Sequence, residues 1–226
     1  MSSSSKLATV YATDENIAVR SGGDYTILAP EWQKVASAVD GAFAVGDPWR
    51  LTSATVDFVS AGIQSGHVVL LRKPNTAFKG SGELLAVSNV SAAGIVLRRL
   101  GSEPGLGQPP SPASGLFAVD FLIATLGPQI EEASFDLNRR FGIDPNVPGR
   151  SPGNLNDLRD LRQACVLLVL AQRYTAETRS SDGDFALKLA RVNQELTDAL
   201  ARLQLRWGAN GSDANSSSRF TTRIVR

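Results

Sequence analysis

Apolar residues recur at three- and four-residue intervals through the last third of the chain. The clearest stripe starts at Phe185 and ends at Trp207, with steps of 4, 3, 4, 4, 3 and 4 residues. Such spacing predicts a long amphipathic helix. A second long helix is predicted over 155–177, and a shorter one from Pro128 to a stop at Gly142. Because the turn at 181–184 is short, the two long helices are expected to pack as an antiparallel hairpin.

The middle of the chain has a different pattern, with short runs rich in β-branched and other apolar residues. These runs lie at 56–58, 67–71, 84–90 and 95–97, and glycine-containing turns separate them. A further apolar run at 116–125 follows a segment dominated by Gly, Pro and Ser at 101–115. Strands at this spacing indicate a small antiparallel sheet or barrel, and a two-sheet arrangement is an equal alternative.

Near the N-terminus, Thr13 is placed to cap a short helix that begins with Asp14. A second short helix is predicted over 31–39, where apolar residues starting at Trp32 recur at helical spacing. We therefore predict an α+β fold: a helical core with a long antiparallel helix hairpin, plus a small antiparallel β module. The predicted divisions are 1–48, a mixed segment packing on the helical core; 49–126, the β module; 127–208, the helical core; and 209–226, an extended arm.

Composition narrows the possible functions. Hydrophobic residues make up 42% and charged residues 20% of the 226 residues, and the formal net charge is +1. A general nucleic-acid binder usually carries a clear basic excess, so this class is disfavoured. No apolar run reaches the ~20 residues that a membrane-spanning helix needs, and the polar start does not resemble a secretory signal.

Candidate chemistry is sparse. The chain has one histidine, His67, and one cysteine, Cys165, so the usual zinc sites and nucleophile–histidine systems lack partners. Cys165 lies on an apolar helix stripe and is predicted to be a core residue. We predict no catalytic residue, cofactor or metal site, and therefore a protein that is not an enzyme. Two rivals stay open: a hydrolase built around His67 and Asp57, and a carbohydrate-binding module in the β region.

The C-terminal end carries the one predicted partner-binding segment. It follows a Ser/Asn-rich stretch and alternates basic with apolar residues, which suits addition of a strand to the sheet edge of a partner. A disordered end without a defined partner is the alternative. The residues of this segment are Arg219, Phe220, Thr221, Thr222, Arg223, Ile224, Val225 and Arg226.

Several stretches resemble the head–tail connector (adaptor) proteins of long-tailed phages and gene transfer agents. Over 128–207 they are IEEA at 130–133, LNRRFGI at 137–143, LRDLRQA at 158–164, QRY at 172–174 and DGDF at 182–185. Weaker similarity covers DENIA at 14–18, GDY at 23–25 and WQ at 32–33. The β module is an elaboration relative to the smallest members of that family.

The resemblance implies a structural subunit that joins the capsid to the tail or neck. Its partners would be further copies of itself in a ring, such as a dodecamer, the portal protein, and a neck or tail-completion protein. DNA would pass through the channel without specific binding. The implied location is the neck of the virion, after synthesis in the host cytoplasm. Another viral neck, tail-completion or baseplate structural protein is the alternative.

Overall fold

The computed structural model describes residues 9–29, 31–74, 78, 82–102, 115–147, 149–178, 184–205 and 207. The chain forms two compact units. The first, called here the barrel unit, is Thr13–Gly127. The second, the helical unit, combines Met1–Ala12 with Pro128–Arg226. The barrel unit is therefore inserted in the sequence of the helical unit. It begins at Thr13, whereas the predicted β module began at residue 49.

Six antiparallel strands of the barrel unit close on themselves in the order β1-β2-β5-β4-β3-β6. Closure depends on β1, which pairs with β2 through its last residues and with β6 along most of its length. The strand bounds are β1 Lys34–Phe43, β2 Arg50–Thr52, β3 Val68–Lys73, β4 Glu83–Ser91, β5 Gly94–Arg99 and β6 Val119–Ala124.

Every second side chain along much of each strand points inward, and these side chains fill the barrel interior. In β6, Val119, Phe121 and Ile123 are fully buried and belong to the interior cluster. Phe58 comes from a turn rather than a strand, and its ring centroid lies 5.9 Å from that of Phe121. At Gly41, an added Cβ would lie 2.8 Å from the carbonyl oxygen of Val119, so the irregular pairing of β1 with β6 requires a residue without a side chain.

Two short helices precede β1 in the barrel unit: α1, Asp14–Ser21, and α2, Tyr25–Leu28. The predicted cap of α1 is confirmed, because the Thr13 hydroxyl accepts a hydrogen bond from the Asn16 backbone N–H and Asn16 bonds back to the Thr13 N–H. This reciprocal arrangement satisfies donors that the first helical turn leaves free.

The helical unit contains α3, Gly127–Phe141; α4, Arg159–Glu177; and α5, Asp184–Arg202. These helices confirm the three predicted helical regions, although α4 begins later than expected and α5 ends earlier. Helix α4 is the most buried of the three, since most of its residues from Ala164 to Ala171 are buried. Tyr174 packs on Phe185 of α5 with ring centroids 5.8 Å apart.

The predicted fold class is wrong. The structure is not a helical core with a hairpin and a small β addition, because a closed six-stranded antiparallel barrel organises the larger part of the described chain. The helix predicted over 31–39 is mostly strand β1. Bulges in β1 interrupt its two-residue alternation, so the apolar residues there fell at helical spacing. The predicted strand at 56–58 is also wrong, since it forms part of a turn.

Candidate protein-binding groove

An open groove of about 470 Å³ lies among the three long helices of the helical unit. Its floor is made of leucines: one from α3, one from α4 and two from α5. Charged side chains from the last turns of α3 form its rim. The lining residues are Asp136, Leu137, Arg139, Arg140, Leu168, Leu196 and Leu200.

The groove exists because α5 is only partly covered. Its apolar stripe matches the predicted one, yet Val192 is the single buried residue of the described helix. Leu196 and Leu200, the α5 residues of the groove, are only partly buried. On another face of the same helix, Leu187 is 74% exposed. A stripe of this length that stays half covered in one chain is typical of a surface that another protein completes.

The groove rim carries charges without partners inside the described part of the chain. Arg139 and Arg140 are exposed at the end of α3. Neither makes an ion pair with the nearby Asp136 or with another described residue. Positive side chains in a last helical turn are favoured by the helix dipole, which accounts for their position in α3. Since no described residue pairs with them, their guanidinium groups could bind a partner that covers the leucines.

A second group of polar side chains lies in the barrel unit around Asp14, which is 2% exposed. Its carboxylate accepts a hydrogen bond from the Leu126 backbone N–H at 2.6 Å and one from the Thr125 hydroxyl at 2.8 Å. Burial raises the pKa of Asp14, and these hydrogen bonds, together with nearby His67, oppose the rise. The carboxylate thereby ties the start of α1 to the end of β6.

The neighbouring residue Glu15 makes a similar tie. Its carboxylate pairs with the Arg98 guanidinium and accepts a hydrogen bond from the Gly101 backbone N–H at 3.0 Å. Both acidic residues of the first turn of α1 therefore bind groups of the barrel unit, so we assign them a structural role.

The two residues of the hydrolase alternative lie in separate environments. The His67 Nδ1 accepts a hydrogen bond from the Gln64 backbone N–H at 3.3 Å. Burial lowers the pKa of His67, and the charge of Asp14 opposes this. The Asp57 carboxylate is exposed and accepts hydrogen bonds from Val59 and Ser60 of its own turn. Among the described contacts, the His67 imidazole and the Asp57 carboxylate do not form a nucleophile–base pair.

Cys165 is buried in the core of the helical unit, as predicted. Burial raises the pKa of its thiol, and a hydrogen bond with the Ser134 side chain opposes this. In the described ranges, no three His, Cys, Asp or Glu side chains group as metal ligands do. None of the helices described is both long and apolar enough to cross a membrane.

The predicted partner-binding segment, Arg219–Arg226, lies outside the described residues, as does most of the Gly/Pro segment at 101–115. Of the turn predicted at 181–184, only Asp184 is described, and it is the first residue of α5. The groove leucines were all in the predicted stripes, but the sequence did not show that Leu168, Leu196 and Leu200 would stay partly exposed beside the buried Leu137. The sequence did contain one sign of this groove. The run from Asp136 to Arg140 places charged residues beside an apolar stripe, as at the rim of a binding surface.

Comparisons with known proteins found no matching family model, no matching curated protein and no matching solved structure.

Proposed function

We propose that the chain is a structural head–tail adaptor subunit that works by protein–protein association in the neck of a virion. It assembles as a ring beneath a portal protein and offers a surface for the next neck or tail component. The observation that carries this proposal is the half-covered leucine groove of the helical unit. The stretches that resemble connector proteins also lie mostly on the helices that form it.

In this proposal, the groove is one half of the contact between neighbouring copies. Ring contacts are head-to-tail, so an apolar groove on one copy must meet a different surface of the next copy. Leu196 and Leu200 provide the apolar area, and Arg139 and Arg140 provide orientation at the rim. Many such contacts, each weak alone, close a ring because closure raises the effective concentration of each contact.

The charge of the chain is compatible with a ring around DNA. The net formal charge is +1 over 226 residues. Affinity for DNA grows with the number of phosphates that lysine and arginine neutralise, so a near-neutral wall lets DNA slide through without strong binding.

The test is co-sedimentation of the full-length chain with a portal ring from the same genome. Leu200→Lys places a charge in the groove, and it should weaken assembly on the portal by about tenfold or more, because a buried leucine contact is worth roughly 1.5–3 kcal/mol. The matched control is Ala201→Lys, which adds the same charge at the next, exposed position of α5. Circular dichroism establishes that both variants keep their helices.

A chain that ends at Gly208 tests the C-terminal segment separately. If this shorter chain loses portal binding while the groove variants still bind, the portal contact is assigned to the C-terminal arm, residues 209–226, which includes Arg219–Arg226. Equal behaviour of Leu200→Lys and Ala201→Lys would remove the groove from the assembly. Failure of the full-length chain to bind a portal, with binding to a neck or tail-completion protein instead, would favour the alternative structural role.

A further inference from the structure

A second cavity of the helical unit, of about 610 Å³, lies where α3 ends. We call it the α3 end cavity. Phe135 and Arg139 of α3 form one side, and the loop at 142–147 with Arg150 forms the other. Its size falls within the range of about 300–1,000 Å³ that is usual for ligand sites.

Hydrogen bonds hold the loop side of the cavity in place. Gly142 ends α3 with a positive φ of 64°, and the Ile143 N–H then bonds to the Asn138 carbonyl at 2.9 Å. This helix-ending motif fixes the direction in which the chain leaves α3. The Asp144 N–H bonds to the Arg150 carbonyl at 2.9 Å, which closes the loop on itself. The wall is therefore formed before a ligand binds.

The charges of this wall are unbalanced. Arg139 and Arg150 both line the cavity, both are exposed, and neither has an ion-pair partner among the described residues. The one carboxylate of the lining, that of Asp144, already accepts a hydrogen bond from the Asn146 backbone N–H at 2.8 Å. An added Cβ on Gly142 would lie 3.7 Å from the Arg150 Nη1, which places that guanidinium over the glycine at the cavity wall.

Apolar surface accompanies these two arginines. Phe135 is 62% exposed and Val147 is 41% exposed, and both line the cavity. A large exposed aromatic side chain beside guanidinium groups that no described residue pairs with is typical of a binding surface, since aromatic and arginine side chains are enriched at protein interfaces.

We propose that the α3 end cavity binds a short acidic segment of a partner protein. One carboxylate of that segment is bound by Arg139 and Arg150, because the planar guanidinium donors match a carboxylate in charge and geometry. An adjacent apolar side chain of the segment packs on Phe135 and Val147. The site is distinct from the leucine groove, although Arg139 borders both, and the inference does not rest on the proposed adaptor function.

A peptide fits this cavity better than a nucleic acid does. Nucleic-acid sites extend along a basic strip that follows successive phosphates, whereas here two arginines stand beside apolar surface and the carboxylate of Asp144. A single carboxylate next to an apolar side chain uses both kinds of surface.

The test is an NMR titration of the isotope-labelled full chain. The probes are a short capped peptide that alternates aspartate with leucine, its asparagine-for-aspartate counterpart, and a short oligothymidylate. We expect saturable shifts of the Gly142, Asn146 and Val147 amides with the aspartate peptide only. Arg150→Gln should weaken its binding by about ten- to hundredfold, in line with the loss of a charge-assisted hydrogen-bond pair.

Arg140→Gln is the matched control, because Arg140 is an exposed arginine of the same helix end and lies outside this cavity. Phe135→Ala, at an exposed position, should also weaken the peptide without unfolding the chain. The inference is overturned if the asparagine peptide binds equally, if Arg140→Gln weakens binding as much as Arg150→Gln, or if the oligothymidylate binds more tightly. Shifts confined to other amides, or no saturable binding at all, would overturn it as well.

Discussion

Replacing Asp14 by alanine should destabilise the barrel unit more than any exposed acidic substitution. Asp14 is 2% exposed, and its two carboxylate oxygens accept hydrogen bonds from the Leu126 N–H and the Thr125 hydroxyl. Leu126 is fully buried, so water cannot easily replace the lost partner. The Leu126 N–H would then be left without a hydrogen bond.

The size of the effect follows from these contacts. A buried donor left unpaired costs about 1–3 kcal/mol. Loss of a negative charge in the first turn of α1 adds about 0.3–1 kcal/mol. Removing the carboxylate also removes the cost of burying it, which its raised pKa reports. We therefore expect a net loss of about 1–3 kcal/mol in the free energy of unfolding.

Asp14→Asn separates the hydrogen bonds from the charge. The amide oxygen can still accept from Leu126, so the loss should be smaller than for alanine. Because the folded pKa of Asp14 is raised, its contribution to stability is full below the unfolded value of 3.8 and declines as pH rises through the folded value. The stability of the Asp14 protein relative to Asp14→Asn should therefore fall as the pH rises above 3.8.

The assay is urea unfolding followed by tryptophan fluorescence, since two of the three tryptophans, Trp32 and Trp49, belong to the barrel unit. The pH series is run in a His67→Gln background. His67 and Tyr25 are the titratable groups that interact with Asp14, and Tyr25 keeps its proton throughout that range because burial raises its pKa. The reasoning is refuted if Asp14→Ala changes stability by less than about 0.5 kcal/mol, the size of an ordinary surface effect. It is also refuted if the stability of the Asp14 protein relative to Asp14→Asn rises with pH.

Three further experiments test the packing of the two units. Gly41→Val should cost about 1–3 kcal/mol in urea unfolding, because the new side chain meets the Val119 carbonyl oxygen; Gly23→Val, with open space, is the control. Cys165 should resist alkylation until urea unfolds the helical unit, and fast native labelling would contradict its burial. Burial raises the pKa of Tyr11 to about 12, so its contribution is lost as pH rises from 10 towards 12, and Tyr11→Phe should show a smaller alkaline loss of stability.

Local sequence patterns were enough to predict those helices whose apolar spacing and end residues are themselves local. The stop of α3 at Gly142 and the apolar stripe of α5 could be identified in the sequence, because helical spacing and a glycine end depend on nearby residues only. The cap of α1 by Thr13 was predictable for the same reason. The burial of Cys165 followed from its place on an apolar stripe.

The barrel could not be derived in the same way. Its closure requires β1, whose bulges at 34–36 and 38–41 disguise the strand alternation. The pairing of β1 with β6 joins residues about eighty positions apart, such as Ala38 and Phe121. No local pattern in the chain specifies that partner. The pairing and register of a strand depend on the distant residues that pack against its two faces.

The sequence by itself determined the helices of the helical unit and the cap of α1. Only the tertiary structure decided that the strands close into a barrel, that Asp14 is buried against the end of β6, and that the α5 stripe stays half covered. The physical reason is the same in each case. Periodicity shows which residues can be buried, whereas long-range packing decides which of them are buried and which remain open to a partner.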